Sequence, residues 1–232
     1  MGASPDNLSV MDRITLGRMQ NPVRGFLHGS AALAATIGLV LLLRRAWGDP
    51  GAVAGAAAYG AALIVMYTVS SLYHSIPWSP HWKVRLQRVD HSMIYLVVAG
   101  TFTPIAIASL SGWSLAVALT FVWSIAITGI VLKATLRTVA TALSVTLQLS
   151  MGWFVIFWLP QIYDTLGSTA VVLIGLGGLC YTAGAVMFLL KRPRLHPRAF
   201  SYHELFHVLV VMASVFHFLA VWSYALPAAV SA

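Results

Sequence analysis

Two histidines four residues apart open the last long apolar run, in His203-Glu204-Leu205-Phe206-His207. On a helix that spacing puts both imidazoles on one face, where they can converge on a single metal ion. Beyond them, Phe206 to Leu226 holds one further imidazole, His217, and no charged residue. Bulk lipid cannot satisfy two imidazoles and a carboxylate, so such a cluster at the end of an apolar run marks a site with a function. Two other apolar runs carry chemistry at their ends: Ser70 and His74 close one, and Asp90-His91 open another. Three imidazoles around one ion, with a fourth position left to water, is the arrangement of a catalytic zinc site. Asp90 then fits as a group that orients that water or accepts its proton.

Each residue also has a plainer reading. A single histidine at a helix end is ordinarily an interfacial side chain. Asp90 could complement the dipole at a helix start, and Ser70 could bond back to its own helix. Their coincidence at three chain ends favours the metal site over separate explanations. The HExxH pattern itself matches the zinc-protease motif, in which the Glu is a general base. No Asp or Glu follows Glu204 to complete a glutamate-type ligand set, and no Asn-Pro-Asp-Gly segment is present. Glu204 is therefore expected to face the basic loop before it. His28 stands near the same face and could assist, His217 reads as a hydrogen-bonded core residue about 15 Å deeper, and His81 and His196 fall in loops.

The elements that must position these groups are membrane helices. The chain of 232 residues is 59% hydrophobic and 9% charged, with a mean hydropathy of +0.84. A soluble domain carries about a quarter charged residues, so the composition describes an integral membrane protein. Cys180 is the single cysteine, which excludes an intramolecular disulfide. Seven segments are apolar over roughly the 20 residues needed to span a bilayer. They cover 25–43, 53–73, 89–110, 114–132, 140–159, 169–190 and 203–226. The fold class is thus all-α, a seven-transmembrane helix bundle. A polar segment 1–23 precedes the bundle at 24–226, and a short tail 227–232 follows. No removable signal peptide is read at the start, and Asp6 does not suit myristoylation.

Orientation follows from the basic residues. The net charge of +8 is no sign of nucleic acid: twelve of the 14 Lys and Arg stand on one side of the bundle and only Arg44 and Arg45 on the other. The positive-inside rule then places the N-terminus in the cytoplasm and the C-terminus outside. With that topology the ends bearing Ser70 and His74, Asp90, and His203 and His207 meet at one depth near the cytoplasmic face. Glycines and alanines along helices 2 and 6 suit close packing in lipid, and Thr103-Pro104 is expected to kink helix 3. Trp47, Trp78, Trp113 and Trp158 suit interfacial anchors.

The segments Ser70-Ser71-Leu72-Tyr73-His74, Val89-Asp90-His91-Ser92 and Gly100-Thr101-Phe102-Thr103-Pro104 together resemble the hemolysin III family. Met151-Gly152-Trp153 and the final His203…His207…His217-Phe218 complete the pattern. That family is grouped with the progestin and adiponectin receptors and, more distantly, with alkaline ceramidases. The resemblance covers nearly the whole chain from His28 onward. It implies seven helices, an inward N-terminus and a zinc ion held by His74, His203 and His207, with Asp90 and Ser70 beside the metal. One departure is local: Arg24-Gly25-Phe26-Leu27 precede His28, where many members carry an acidic pair and Asn.

Two functional classes stay open. One is a zinc-dependent hydrolase, ceramidase-like, cutting an amide or ester bond of a membrane lipid in the plasma or inner membrane. The other is a non-enzymatic protein in which zinc ties helices together, with a role in sensing or adjusting membrane state, or in cytolysis. A structural zinc is usually closed by four protein ligands, and a fourth is not evident, which favours the enzyme.

Overall fold

A computed structural model describes residues 21–136, 140–196 and 200–231. Arg13, Arg18, Arg137 and Arg198, which enter the charge count, lie outside the described residues, as does most of the segment 1–23. The described residues form an all-helical bundle. Its helices are α1 (Pro22–Ala46), α2 (Pro50–Ser75), α3 (Pro80–Ser109), α4 (Gly112–Thr135), α5 (Thr141–Trp153), α6 (Leu159–Leu190), α7 (Tyr202–Ala220) and α8 (Leu226–Ser231). A 3-10 turn, Phe154–Trp158, joins α5 to α6, and a π turn, Val221–Ala225, joins α7 to α8. Among the described residues six helical stretches are long and apolar enough to cross a membrane: α1 to α4, Thr141–Leu190, and Tyr202–Ser231.

The helix starts follow ordinary local chemistry. Pro22, Pro50 and Pro80 each stand in a first turn, where the missing N–H costs nothing. Asp49 caps α2 by accepting the Ala52 N–H at 2.6 Å. Ser201 and Glu204 form a reciprocal capping box at the start of α7.

Three boundaries differ from the sequence expectation. Helix α3 begins at Pro80 instead of near Val89, so Lys83, Arg85 and Arg88 extend it as polar helical turns. Asp90 consequently sits about three turns inside the helix, too far from its start to serve the dipole. Pro160 and Gly167 are the breakers expected in the connection between 159 and 169, but Pro160 occupies the first turn of α6 and breaks nothing. The break comes at Gly167, as expected, with a φ of 79° and ψ of 174° that suit only glycine. The chain folds back there: the Trp153 indole N–H donates to Thr182 Oγ1 at 3.0 Å across that bend. Finally, the last helix continues through the π turn to Ser231, through the residues read as a tail.

Packing is set by close approach. Helix α2 lies between α1 and α3, α4 flanks α3, and α6 pairs with α7. Lipid tails are as apolar as leucine, so helices associate through van der Waals contact and interhelical hydrogen bonds. Gly55 admits Pro104 of α3, and Gly60 admits Leu39 of α1. Pro104 lies inside a continuous α3; Thr103 bonds back to Ala99 C=O at 2.8 Å and accepts the Trp123 indole N–H at 3.1 Å. Trp47 and Trp113 are largely exposed near helix ends, whereas Trp158 packs against the core.

These contacts separate two glycine substitutions. A Cβ at Gly100 would stand 2.7 Å from Ala62 Cβ and 2.9 Å from the Ala58 carbonyl oxygen, whereas one at Gly175 would meet nothing within 4 Å. Gly100→Ala should destabilise by about 1–3 kcal/mol, and Gly175→Ala should leave stability unchanged or raise it by up to about 1 kcal/mol. Thermal unfolding in detergent checks both, and an equal response at the two positions would contradict this packing.

Candidate functional site

His74 closes α2, and His203 and His207 share a face in the first turns of α7. The structure brings the three together. One ring nitrogen from each lies within 4.8 Å of the others. Ring centroids are 4.9 Å apart for His74–His207, 5.3 Å for His74–His203 and 5.1 Å for His203–His207. His74 and His207 are buried and His203 half-buried.

The donor set fits a metal ion. His74 Nε2 and His207 Nδ1 are buried without a hydrogen-bond partner. An orphaned polar atom in an apolar interior is costly, and a shared cation satisfies several at once. The three histidines could therefore hold a metal ion. His28 packs directly against this cluster, its ring 4.1 Å from His207 and 4.9 Å from Tyr67, with both nitrogens buried and unpartnered.

A cavity of about 290 Å³ opens beside the cluster and is lined by His203, His207, Ser70 and Asp90 at one end and by His217 at the other. Ser70 is buried and its hydroxyl hydrogen-bonds the Asp90 carboxylate. His217 sits deeper, as expected of a core residue: Nε2 bonds Ile174 C=O at 3.3 Å and the ring stacks on Tyr181. Gly177 leaves the room that the imidazole occupies. His81 lies in the first turn of α3 instead of a loop, and His196 is exposed between α6 and α7.

Glu204 corrects the expectation that it faces the basic loop. Its Oε1 accepts Arg24 Nε of α1 at 2.7 Å, and its Oε2 accepts the Ser201 N–H at 2.8 Å. The physical reason is proximity to α1, whose start also reaches α2: the Asn21 N–H donates to His74 C=O at 3.1 Å, and Ser71 Oγ donates to Gly25 C=O at 2.8 Å. The first turn of α1 is thus bonded to both helices that carry the cluster. Sequence reasoning missed this clamp. Its one signal was an arginine four residues ahead of His28.

A second network was also missed. Ser214 Oγ receives the Tyr67 hydroxyl at 2.8 Å and lies 3.2 Å from the Tyr181 hydroxyl, while Tyr59 donates to Ser214 C=O at 3.0 Å. It joins α2, α6 and α7 below the cluster. Three tyrosines within apolar runs were the available hint, since a buried phenol needs a partner.

The clamp generates a measurable coupling. Arg24 and Glu204 side chains are 15% and 9% exposed, so losing one partner should cost about 1–3 kcal/mol. Arg24→Met and Glu204→Gln should each lower the melting temperature, and the double variant should lose less than their sum. Strict additivity in thermal unfolding would show the pair to be idle.

Comparison with known proteins identifies the family. The family model described as Haemolysin-III related matches residues 17–218. Hemolysin-3 of Bacillus cereus is 30% identical over 224 residues, covering 94% of this chain and 98% of that protein. A hemolysin-3 homolog of Bacillus subtilis (strain 168) is 31% identical over 201 residues, covering 85% and 90%. The monocyte to macrophage differentiation factor of Homo sapiens is 25% identical over 180 residues, covering 72% and 68%. With a family match across most of its length and Bacillus relatives covering 85% or more of it, the chain belongs to the hemolysin III family of multi-pass membrane proteins.

Proposed function

We propose that this protein is a zinc-dependent hydrolase of membrane lipid amide or ester bonds, with His74, His203 and His207 as ligands. The observation that carries the reading is the convergence of three imidazoles, two with orphaned nitrogens, beside a cavity that His203 and His207 line together with an acid, Asp90. Imidazole donors with room for water suit zinc, and a zinc ion there supplies activation of water for attack at neutral pH.

The remaining steps belong to the chain. Asp90, held by the Ser70 hydroxyl, takes a proton from the attacking water. The water oxygen bonds to the acyl carbon, the C–N or C–O bond breaks, and Asp90 returns the proton to the leaving amine or alcohol. Ser70 can donate toward the developing oxyanion only by exchanging its bond to Asp90, so orienting the carboxylate is its first task. Apolar walls between α3, α5 and α6 accommodate the lipid chain.

The fold-back at Gly167 supports a count of seven spans, because it divides Thr141–Leu190 into two antiparallel parts. Together with the charge bias it supports a cytoplasmic N-terminus and an external C-terminus in the plasma or inner membrane. Reporter fusions after Arg45, Ser111, Asp164 and Ala232 should then read outside, and those after Lys83, Lys133 and Arg194 cytoplasmic.

A second reading keeps the zinc but not the turnover. The clamp of α1 onto α2 and α7 favours it, since an ion shared by two clamped helices would serve stability alone. Its roles would be sensing or adjusting membrane state, or the haemolysis that gives its bacterial relatives their name.

Metal analysis tests the common part. Purified protein should carry about one zinc per chain; His74→Ala, His203→Ala and His207→Ala should each lose most of it, and His217→Ala should keep it. Equal zinc in wild type and His203→Ala would end the assignment. Asp90→Asn should retain the ion and lower lipid turnover about a hundredfold or more, read by mass spectrometry of ceramides and phospholipids with and without chelator. Turnover equal in both proteins would remove the mechanism, and none across a broad panel would favour the second reading.

A further inference from the structure

Lys133 stands in the last turn of α4, a helix that contributes no histidine to the cluster. It is nevertheless one of the side chains lining the cavity, where it is the single Lys or Arg and Asp90 the single acid. Lys133 is half-buried and within electrostatic reach of both Asp90 and His91. Among the described residues it forms no ion pair, whereas Arg24 at this end of the bundle is matched by Glu204. On the facing helix α5, Gln148 also lines the cavity and donates its amide to His91 C=O at 3.3 Å.

A half-buried ammonium is retained at a cost unless an anion meets it. Asp90 is the one carboxylate lining the cavity that can answer this charge, and it does not pair with Lys133 directly: it accepts the Ser70 hydroxyl. The cavity then runs toward His217, ten residues beyond His207 and so about 15 Å deeper, between apolar walls. One end carries an ammonium without a direct carboxylate partner among the described residues, and the other suits a hydrocarbon chain.

We infer that this cavity selects lipids bearing an oxyanion at the headgroup, a phosphate or carboxylate, and that Lys133 is the residue that recognises it. The inference rests on the lipid-binding part of the proposed function and is independent of turnover. Lysines at span ends ordinarily snorkel to water; an amine that does so makes no distinction between anionic and neutral lipids.

Binding of two probes to the purified full chain in neutral detergent decides the matter. Oleoyl lysophosphatidic acid and monooleoylglycerol share a chain and differ by the phosphate. Wild type should prefer the phosphorylated probe by about tenfold or more. Lys133→Gln and Lys133→Met should reduce that preference to about twofold or less, Lys133→Arg should keep most of it, and affinity for monooleoylglycerol should not change. Two neutral variants are used so that one poorly folded protein does not decide the result.

Chelated protein separates this inference from the zinc assignment. A preference that survives chelation and falls on Lys133→Gln upholds the lysine whether or not zinc is the native ion. A preference abolished by chelation and unaffected by Lys133→Gln assigns recognition to the metal alone and overturns the inference. Equal affinity for the two probes in wild type overturns it as well. Inorganic phosphate should not displace the lipid at equal concentration; if it does, the site reads free phosphate and the lipid selection is wrong.

Discussion

The bonds from the start of α1 to α2 and α7 fix everything at the metal-capable end of this bundle. His74 is the second-last residue of one helix and His203 the second residue of another, positions that would fray if left alone. Asn21 and Ser71 hold the end of α2 against α1, and Arg24 with Glu204 holds the start of α7 against the same turn. Without that turn nothing local would keep the three imidazoles at one depth. This frame brings the orphaned nitrogens of His74 and His207 together, where a single cation could satisfy them.

Deeper in the bundle the frame is continued by different means. Ser214 gathers the hydroxyls of Tyr67 and Tyr181, while its carbonyl receives Tyr59, so α2, α6 and α7 are tied again within the apolar interior. Between these polar ties, glycines make room for a neighbouring helix: Gly55 for the Pro104 backbone, Gly60 for the Leu39 side chain, Gly177 for the His217 ring. Dispersion contact and a few satisfied hydrogen bonds are the available forces in lipid. They are concentrated where α2 meets α1 and α3 and where α6 meets α7. The cavity lies between these ties and α3, α5 and α6, so that Ser70, Tyr181, His207 and His217 line it as well.

Much of this was legible in the sequence, for identifiable reasons. Hydropathy marked the apolar runs because lipid demands them, and i, i+4 spacing put His203 and His207 on one face. The depth argument that joined them to His74 needed only helix direction. What escaped the sequence depended on side-chain partners or on polar helical turns. Periodicity of apolar residues could not see that α3 starts at Pro80, since Lys83, Arg85 and Arg88 form helix outside the apolar run. Of the two breakers read between 159 and 169, Pro160 is harmless in a first turn, and the reversal rests on the backbone freedom of Gly167 alone. Arg24 and Glu204 lie 180 residues apart, and no local pattern links them.

That pairing also explains why a motif should be read by its partners. In His203-Glu204-Leu205-Phe206-His207 the spacing is that of a zinc-protease helix, whose Glu must point at the metal-side water to act as a base. Here one oxygen of Glu204 is committed to Arg24 and the other to the Ser201 N–H, so the carboxylate serves the helix start and the clamp. Two of the three functions in the motif, the imidazoles, remain available to a metal, and the third is replaced. The acid that lines the cavity is Asp90, delivered by another helix and steadied by Ser70. A helix that must be anchored at a membrane face has a use for a carboxylate at its third position that is independent of catalysis. The same five residues can therefore arise from the demands of capping and metal binding together.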